Sequence, residues 1–182
     1  MKVTETKLKG SFVIEPDIFK DNRGYFFESF NQKKFMLHTG LKIDFIQDNE
    51  SFSTKGVLRG LHYQEGEFAQ AKLVRVIKGS VLDVVVDIRK NSTTFGEHFS
   101  ILLTEENKKQ FFVPKGFAHG FVVLSNTAIF SYKCDNFYNK PAERGILFSD
   151  SSLNIDWKLP YNELIVSEKD IALPTMEKAV FI

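Results

Sequence analysis

Short apolar runs separated by turn residues dominate the chain and predict β-strands. Residues 72–77 and 80–88 are both rich in Val, Ile and Leu, and Lys78-Gly79 between them has the composition of a tight turn. We therefore predict a hairpin over this part of the chain. Within residues 81–87 the even positions are apolar and the odd positions are mixed, which predicts a strand buried on one face only.

The same pattern continues along the sequence. Residues 99–104 and 109–113 form a second candidate pair of strands around a turn at 105–107. Residues 121–124 and 128–133 flank a further short polar turn. Strands at this spacing predict an all-β protein, an antiparallel sandwich or barrel, rather than alternating β/α units.

Helical patterns are few and short. Asn31 is a good N-cap for a helix that runs to Gly40. From about Ser151 onward, turns and short helical pieces surround Trp157, and such segments usually cover the face or the edge of a sheet. No repeat, low-complexity tract or flexible linker divides the sequence, so we expect one domain over residues 1–182.

Composition narrows the classes of partner. The 182 residues are 43% hydrophobic with a formal net charge of +1, which supplies no global field to attract nucleic acid or an anionic membrane. Cys134 is the only cysteine, which excludes an internal disulfide and suits a reducing compartment. The first residues lack the apolar core of a signal peptide, and no apolar run approaches the ~20 residues of a membrane-spanning helix. We expect a cytoplasmic protein that binds neither nucleic acid nor membrane.

Residues 57–64, VLRGLHYQ, place two chemically active side chains in an apolar strand. A histidine such as His62 can act as a general base, and Arg59 can hold an anion such as a diphosphate through two parallel hydrogen bonds. Burying both groups costs free energy unless partners or a ligand satisfy them. Because they are three residues apart, a regular strand would aim them at opposite faces. A bulge at Gly60 would bring both side chains to one face. Alternatively, Arg59 at the mouth of the strand could reach the same site sideways, and the sequence leaves both alternatives open.

The residues that follow His62 argue against a metal site. Small β-barrels often hold a metal through a His-x-His pair, a Glu and a later His, but Gln64 occupies the position of the second histidine. Glu67, His119 and Glu28 remain as possible ligands. The sequence also lacks a glycine-rich phosphate loop, a Gly-x-Ser-x-Gly elbow and zinc-type Cys/His spacing. We expect neither a metal nor a cofactor.

Three other polar segments have ordinary structural interpretations when each is taken alone. Arg23 and Glu28, in an aromatic segment, are explained by a structural ion pair. Gln47-Asp48-Asn49 has the composition of a turn. His119, just past a Pro-Lys-Gly turn, is explained as a partly buried histidine with a satisfied ring.

Taken together, these segments are specific. Over nearly its whole length the chain resembles the dTDP-4-dehydrorhamnose 3,5-epimerases, enzymes of nucleotide-sugar biosynthesis. The resemblance implies a cupin-type jelly-roll β-barrel or sandwich with a few short helices, mainly in the C-terminal part. It rests on motifs in matching order: Arg23-Gly24 with Glu28, Gln47-Asp48-Asn49, residues 58–64, Lys72-Leu73-Val74, residues 113–121, Tyr132-Lys133 and residues 164–170.

The resemblance also implies roles for individual residues. His62 corresponds to the proton acceptor and Asp170 to the carboxylate that orients it. Tyr132 corresponds to the proton donor on the opposite face of the sugar, and Lys72 to the cation beside the C4 oxygen. Substrate contacts are implied for a larger set: Arg23, Glu28, Gln47, Asp48, Asn49, Arg59, His119, Glu143 and Lys169, with Tyr138 stacking on the thymine.

The implied activity is epimerisation of C3 and C5 of dTDP-4-dehydro-6-deoxy-D-glucose to give dTDP-4-dehydro-L-rhamnose. A C–H beside a ketone loses its proton because the carbanion delocalises as an enolate, which calls for a base, an acid on the opposite face and positive charge at the oxygen. The resemblance further implies a homodimer in which an N-terminal strand contributes to the neighbouring site. Three alternatives stay open: a single-carbon epimerase on a related sugar, a metal-dependent cupin oxygenase and a non-catalytic sugar-binding barrel.

Overall fold

Strands make up most of the regular structure, as the short apolar runs predict. The computed structural model describes residues 1–181. Within that range no helix is both long enough and apolar enough to cross a bilayer. The helical parts are α1 (Gln32–Thr39), α2 (Glu168–Ile171) and the 3₁₀ turns Gly66–Phe68, Lys140–Ala142 and Tyr161–Glu163. The strands are β1 (Lys2–Glu5), β2 (Phe12–Glu15), β3 (Phe19–Asp21), β4 (Gly24–Phe26), β5 (Gln47–Thr54), β6 (Val57–Gln64), β7 (Lys72–Lys78), β8 (Ser80–Asp87), β9 (His98–Thr104), β10 (Gln110–Val113), β11 (Phe117–Val123), β12 (Thr127–Cys134), β13 (Glu143–Gly145) and β14 (Ile165–Val166).

Two sheets pack face to face. Sheet I has the strand order β1-β2-β10-β7-β12-β5, and sheet II has the order β13-β6-β11-β8-β9 with β14 parallel to β6. Strands β3 and β4 form a separate ribbon. An inner hydrophobic cluster drawn from both sheets, including Phe111, Phe121 and Phe130, fills the space between them. The predicted all-β sandwich is confirmed.

The predicted strand pairings are wrong, although the strands themselves are present. Strand β7 pairs with β10 and β12 in sheet I, whereas β8 pairs with β9 and β11 in sheet II, so Lys78-Gly79 carries the chain from one sheet to the other. Strands β9 and β10 likewise lie in different sheets. The turn residues marked each reversal of direction, but the partner of each strand is set by long-range packing of the two layers.

Strand β8 is buried on both faces, which corrects the prediction of a half-buried strand. Its even positions, including Leu82 and Val84, belong to an outer cluster, and Val81 and Val85 belong to the inner cluster. The outer cluster is closed by the C-terminal segment, which contributes Trp157 among others. The prediction that this segment covers a sheet face is therefore confirmed.

Helix α1 forms where its capping residues predict. The side chain of Asn31 accepts a hydrogen bond from the Lys34 backbone N–H at 3.1 Å, and Gly40 ends the helix in the left-handed region at φ 73°. Phe35 is the residue that the helix buries, against the outer face of sheet I. The helix thus covers one part of sheet I and leaves the cavity described below open.

Asp87, at the end of β8, is a buried carboxylate with many donors. It accepts hydrogen bonds from the backbone and guanidinium of Arg89 and from the hydroxyls of Ser92 and Thr94. Burial alone would raise the pKa of Asp87, but these donors hold it at about 2, below the ordinary 3.8. Because the folded-state pKa is the lower one, the stabilisation is present above the unfolded-state pKa and is lost as the pH falls toward about 2.

We expect Asp87→Asn to lower the free energy of unfolding at pH 7 by about 2 kcal/mol. The difference from the wild type should shrink as the pH falls from about 4 to about 2, because the wild-type carboxylate is then also neutralised. Urea unfolding at several pH values measures it. Asp156→Asn is the control, since that carboxylate is exposed and its loss should change the free energy of unfolding little. An equal loss at both ends of the pH range would contradict the account.

Candidate active site

One cavity opens between the two sheets, with a volume of about 400 Å³. Sheet I supplies one wall through β5, β7 and β12, and sheet II supplies the other through β6 and β11. The C-terminal segment closes part of the rim. The residues that line the cavity are Asn49, Glu50, Ser51, Arg59, His62, Lys72, His119, Gly120, Phe121, Phe130, Tyr132, Ser167, Lys169 and Asp170.

His62 on β6 is held by a carboxylate from the far end of the chain. Its Nε2 lies 2.7 Å from Oδ1 of Asp170, and the other oxygen of Asp170 accepts a hydrogen bond from the Gly60 backbone N–H at 3.3 Å. Burial alone would raise the pKa of Asp170, but the hydrogen bond from His62 and its charge keep that pKa below its ordinary value. Asp170 is therefore ionised and accepts the Nε2 proton, which leaves Nδ1 of His62 as the basic nitrogen.

A bulge in β6 brings Arg59 and His62 to the same face. His62 pairs with His119 and Arg59 pairs with Phe121, so three steps along β6 match two steps along β11. Gly60 has φ 131°, and a Cβ built on it would lie 2.6 Å from Cα of Gly120, so no side chain fits at the crossing. Of the two alternatives that the sequence left open, the structure shows the bulge.

Lys72 and Tyr132 face His62 from the opposite wall. Lys72 on β7 lies beside β12, with its Nζ 5.9 Å from the centroid of the Tyr132 ring. Burial lowers the pKa of the Lys72 ammonium and raises the pKa of the Tyr132 hydroxyl. The tyrosine consequently keeps its proton at neutral pH and can act as an acid.

His119 is more deeply buried than His62, and its ring has a carboxylate partner. Its Nε2 is 2.9 Å from Oδ2 of Asp83, and the two side chains are 7% and 0% exposed. The imidazole ring stacks over Phe130 at 6.2 Å between centroids. The satisfied, partly buried histidine that the sequence predicts is present, and the same ring also lines the cavity.

Polar side chains at the rim join the two walls. Oε2 of Glu143 accepts a hydrogen bond from the Tyr138 hydroxyl at 2.8 Å and pairs with Lys169 at 2.5 Å. Oε1 of Gln47 accepts the Tyr138 backbone N–H at 3.0 Å, and the Gln47 side-chain amide donates to Asn49 at 3.1 Å. These five residues therefore form one connected group beside the opening.

Three residues of the implied substrate set lie away from this cavity. Arg23 pairs with Asp21 on the exposed ribbon β3–β4, and Glu28 pairs with Lys34. The prediction of a structural ion pair between Arg23 and Glu28 is therefore wrong. Asp48 bonds Lys133 on the outer face of sheet I.

The prediction that Gln47-Asp48-Asn49 forms a turn is also wrong, because these residues begin strand β5. Side chains then alternate along β5, which sends Asn49, Ser51 and Ser53 toward the interior.

Sequence reasoning missed several polar residues of the site. Ser53 accepts hydrogen bonds from Nε and Nη2 of Arg59 at 3.2 Å, and the Ser51 hydroxyl is buried without a partner among the described residues. The signal was the run of polar residues at alternate positions 49, 51 and 53. Asp83 was missed as well, although an acid inside a valine-rich strand is itself an anomaly. No group of three or more potential metal ligands occurs among residues 1–181.

A histidine–carboxylate pair facing a tyrosine and a lysine across a β-sandwich defines a class, the acid–base enzymes built on the jelly-roll fold. Residues 5–178 match the sequence model of the dTDP-4-dehydrorhamnose 3,5-epimerases. The chain belongs to this family, and the resemblance drawn from its motifs is confirmed.

Individual relatives are similar over almost their full length. The dTDP-4-dehydrorhamnose 3,5-epimerase of Shigella flexneri is 55% identical over 171 residues, which cover 94% of this chain and 93% of that protein. The crystal structure of the enzyme from Elizabethkingia anophelis has a TM-score of 0.94 at 58% identity and covers 97% of both chains. The Legionella pneumophila enzyme, solved in complex with dTDP-4-keto-L-rhamnose, has a TM-score of 0.93 at 46% identity and covers 97% of this chain and 93% of that one.

Proposed function

We propose that this protein epimerises C3 and C5 of dTDP-4-dehydro-6-deoxy-D-glucose to dTDP-4-dehydro-L-rhamnose, acting as one domain over residues 1–182. The observation that carries the proposal is the placement of His62 with Asp170 on one wall of the cavity and of Tyr132 with Lys72 on the other. A sugar ring bound between the sheets then has a base on one face and an acid on the other. Family membership and the keto sugar bound to the Legionella relative support a dTDP-keto sugar as the substrate class.

The first step is proton removal by His62. Its Nδ1 takes the proton from the carbon beside the C4 ketone, the C–H electron pair forms the new C–C double bond, and the π pair of the C4 carbonyl moves onto its oxygen. Asp170 stabilises the imidazolium that results, because its ionised carboxylate lies 2.7 Å from Nε2. A positioned base of this kind typically contributes ~100- to 10,000-fold to the rate.

The second step is proton return from the opposite wall. The Tyr132 hydroxyl gives its proton to the carbon, and the ketone re-forms with the configuration inverted. The Lys72 ammonium is placed to stabilise negative charge on the C4 oxygen, and one preorganised donor of this type is worth about 3 kcal/mol. The same ketone activates C3 and C5 in turn, so both carbons can use one set of residues once solvent has taken the proton from His62 and returned one to Tyr132.

The remaining polar groups are placed to hold the nucleotide. Arg59, fixed by Ser53, offers a guanidinium to the diphosphate, and His119 with Asn49 offers hydrogen-bonding groups along the cavity. At the rim, the exposed ring of Tyr138 offers a stacking surface for the thymine. The neighbouring contacts are assigned to Gln47, Glu143 and Lys169, and none to Asp48, which lies on the outer face of sheet I.

A homodimer would explain the position of Arg23 and Glu28 away from their own cavity. The ribbon β3–β4 beside them exposes Phe19, Tyr25 and Phe26 at 65%, 57% and 69%, a concentration of aromatic surface typical of an interface. We propose that this ribbon reaches the cavity of a second copy. Sedimentation equilibrium tests it: a dimer is expected, and a fully active monomer would contradict it.

The decisive experiment on function is incubation with the dTDP-4-keto-6-deoxy sugar in deuterated water. Two deuterons per sugar, at C3 and C5, with formation of the L-configured product, are expected. Incorporation at one carbon only would replace the proposal by a single-carbon epimerase. If neither deuterium incorporation nor product is found, the enzymatic proposal is wrong and the non-catalytic sugar-binding barrel replaces it.

A further inference from the structure

Ser167 lies at the wall of the cavity, and neither the proton transfers nor the nucleotide contacts use it. It is the N-cap residue of the four-residue helix α2, which carries Asp170. The Ser167 hydroxyl oxygen accepts a hydrogen bond from the Asp170 backbone N–H at 3.2 Å, and the Ser167 carbonyl oxygen accepts the same N–H at 3.0 Å. One residue therefore holds the backbone of Asp170 through two acceptors.

The backbone contacts that anchor the rest of the segment lie on either side of α2. Ile165 donates its N–H to the carbonyl oxygen of Gly56, and Leu147 donates its N–H to the carbonyl oxygen of Pro174, both at 2.8 Å. A helix of about one turn gains little from its own hydrogen bonds, because its first turn is the costly one to form. Between the two anchors, the contacts at the end of α2 therefore decide how Asp170 is held.

The carboxylate of Asp170 is directed away from its own helix. At many helix starts, an acidic side chain at the third helical position turns back toward the N-cap residue. Asp170 occupies that position, but its Oδ1 lies 2.7 Å from Nε2 of His62 and its Oδ2 accepts the Gly60 N–H at 3.3 Å. The side-chain cap comes from the serine, which leaves both carboxylate oxygens free to contact β6.

An ion pair between Lys169 and Glu143 also ties α2 to β13, at 2.5 Å. The Lys169 side chain is 58% exposed, and ion pairs with this much access to solvent contribute little. Removal of an N-cap serine, by contrast, typically changes a helix equilibrium about fivefold. We therefore expect the cap to matter more than the ion pair for the position of Asp170.

We propose that Ser167 is a positioning residue of this site, which holds Asp170 in the orientation that its carboxylate needs to reach His62. The serine acts through the backbone, because fixing the Asp170 N–H fixes the direction in which the side chain leaves the helix. The proposal rests on the proposed function for the role of His62 as the base. The contact between His62 and Asp170, however, is present without any ligand.

The test replaces Ser167 with alanine, which removes the hydroxyl and keeps the carbonyl. Exchange of the His62 Nε2 proton with water is followed by ¹⁵N NMR in the ligand-free protein, and kcat and the dissociation constant for dTDP are measured. We expect this proton to exchange about fivefold faster, because the carboxylate leaves it more often. The value of kcat should fall by ~5- to 100-fold, since a small displacement of a catalytic pair is enough for such a loss, while dTDP binding stays unchanged.

Ser167→Thr is the rescue variant, because threonine keeps the hydroxyl and is also a good N-cap. It should restore both the exchange rate and kcat. Thr104→Ala is the matched control: the Thr104 hydroxyl oxygen likewise accepts the N–H of the residue three positions later, Asn107, at 3.0 Å. Thr104 ends β9 and does not line the cavity, so its loss should change neither the exchange of the His62 proton nor kcat.

Three results would overturn the proposal. One is an unchanged exchange rate of the His62 proton in Ser167→Ala, and another is a loss that threonine fails to restore. Weaker dTDP binding with an unchanged kcat would make Ser167 a substrate contact instead of a positioning residue. A wild type that takes up no deuterium from the keto sugar would reject the proposed function, and the proton exchange, which needs no substrate, would still decide the role of Ser167.

Discussion

Replacing His62 with asparagine should lower the rate of epimerisation by about 1,000-fold or more, the range for loss of a positioned general base. Asparagine keeps a polar group near Asp170 but has no nitrogen that can accept a proton at neutral pH. Because every later step depends on the enolate, uptake of deuterium from solvent should disappear together with product. NMR of the sugar in deuterated water measures both in one experiment.

Binding should survive the same substitution. The groups assigned to the nucleotide, such as Arg59 and Tyr138, are untouched, so calorimetry should give a dissociation constant for dTDP close to that of the wild type. His38→Asn is the control, because His38 is exposed on helix α1 away from the cavity and its loss should change neither rate nor binding. Solvent exchange at the native rate in His62→Asn would show that another group is the base.

Replacing Tyr132 with phenylalanine should separate the two proton transfers. The ring still packs near Phe130, at 6.1 Å between centroids, but the proton donor is gone. We expect product formation to fall by ~100- to 10,000-fold, while His62 continues to remove a proton and return a deuteron to the same face. The starting sugar should therefore become labelled without inversion.

The labelled starting sugar distinguishes this result from simple damage to the fold. A misfolded variant would lose exchange and inversion together. Tyr161→Phe serves as the control, since Tyr161 is 70% exposed and does not line the cavity, so both rates should stay unchanged. Inversion at the wild-type rate in Tyr132→Phe would assign the acid to a different group.

Local sequence signals predicted the elements but not their partners. Turn residues and caps act within a few positions, which is why helix α1 and the strands from β7 to β12 appear where expected. Strand pairing depends on which faces are buried, and β8 has two buried faces only because the C-terminal segment covers one of them. No local pattern around Lys78-Gly79 distinguishes a hairpin from a crossing between sheets.

The candidate site was predicted in parts. His62 stands out by its chemistry, and Asp170 was found through the matching motif, because 108 residues separate the two and no spacing rule connects them. The bulge at Gly60 was one of two open alternatives. Asp83 was overlooked because the buried partner of a histidine cannot be assigned before the register of β8 and β11 is known.

The route by which Asp170 reaches His62 links the proposed base to a local folding event. The carboxylate arrives on a four-residue helix that follows a two-residue strand, and both belong to the segment that also seals the outer cluster. Short elements of this kind open at a lower free energy than the central strands of a sheet. Detachment of the segment would disconnect the histidine from its carboxylate while the sandwich stays intact. On heating, we therefore expect turnover to fail before the sheets themselves melt.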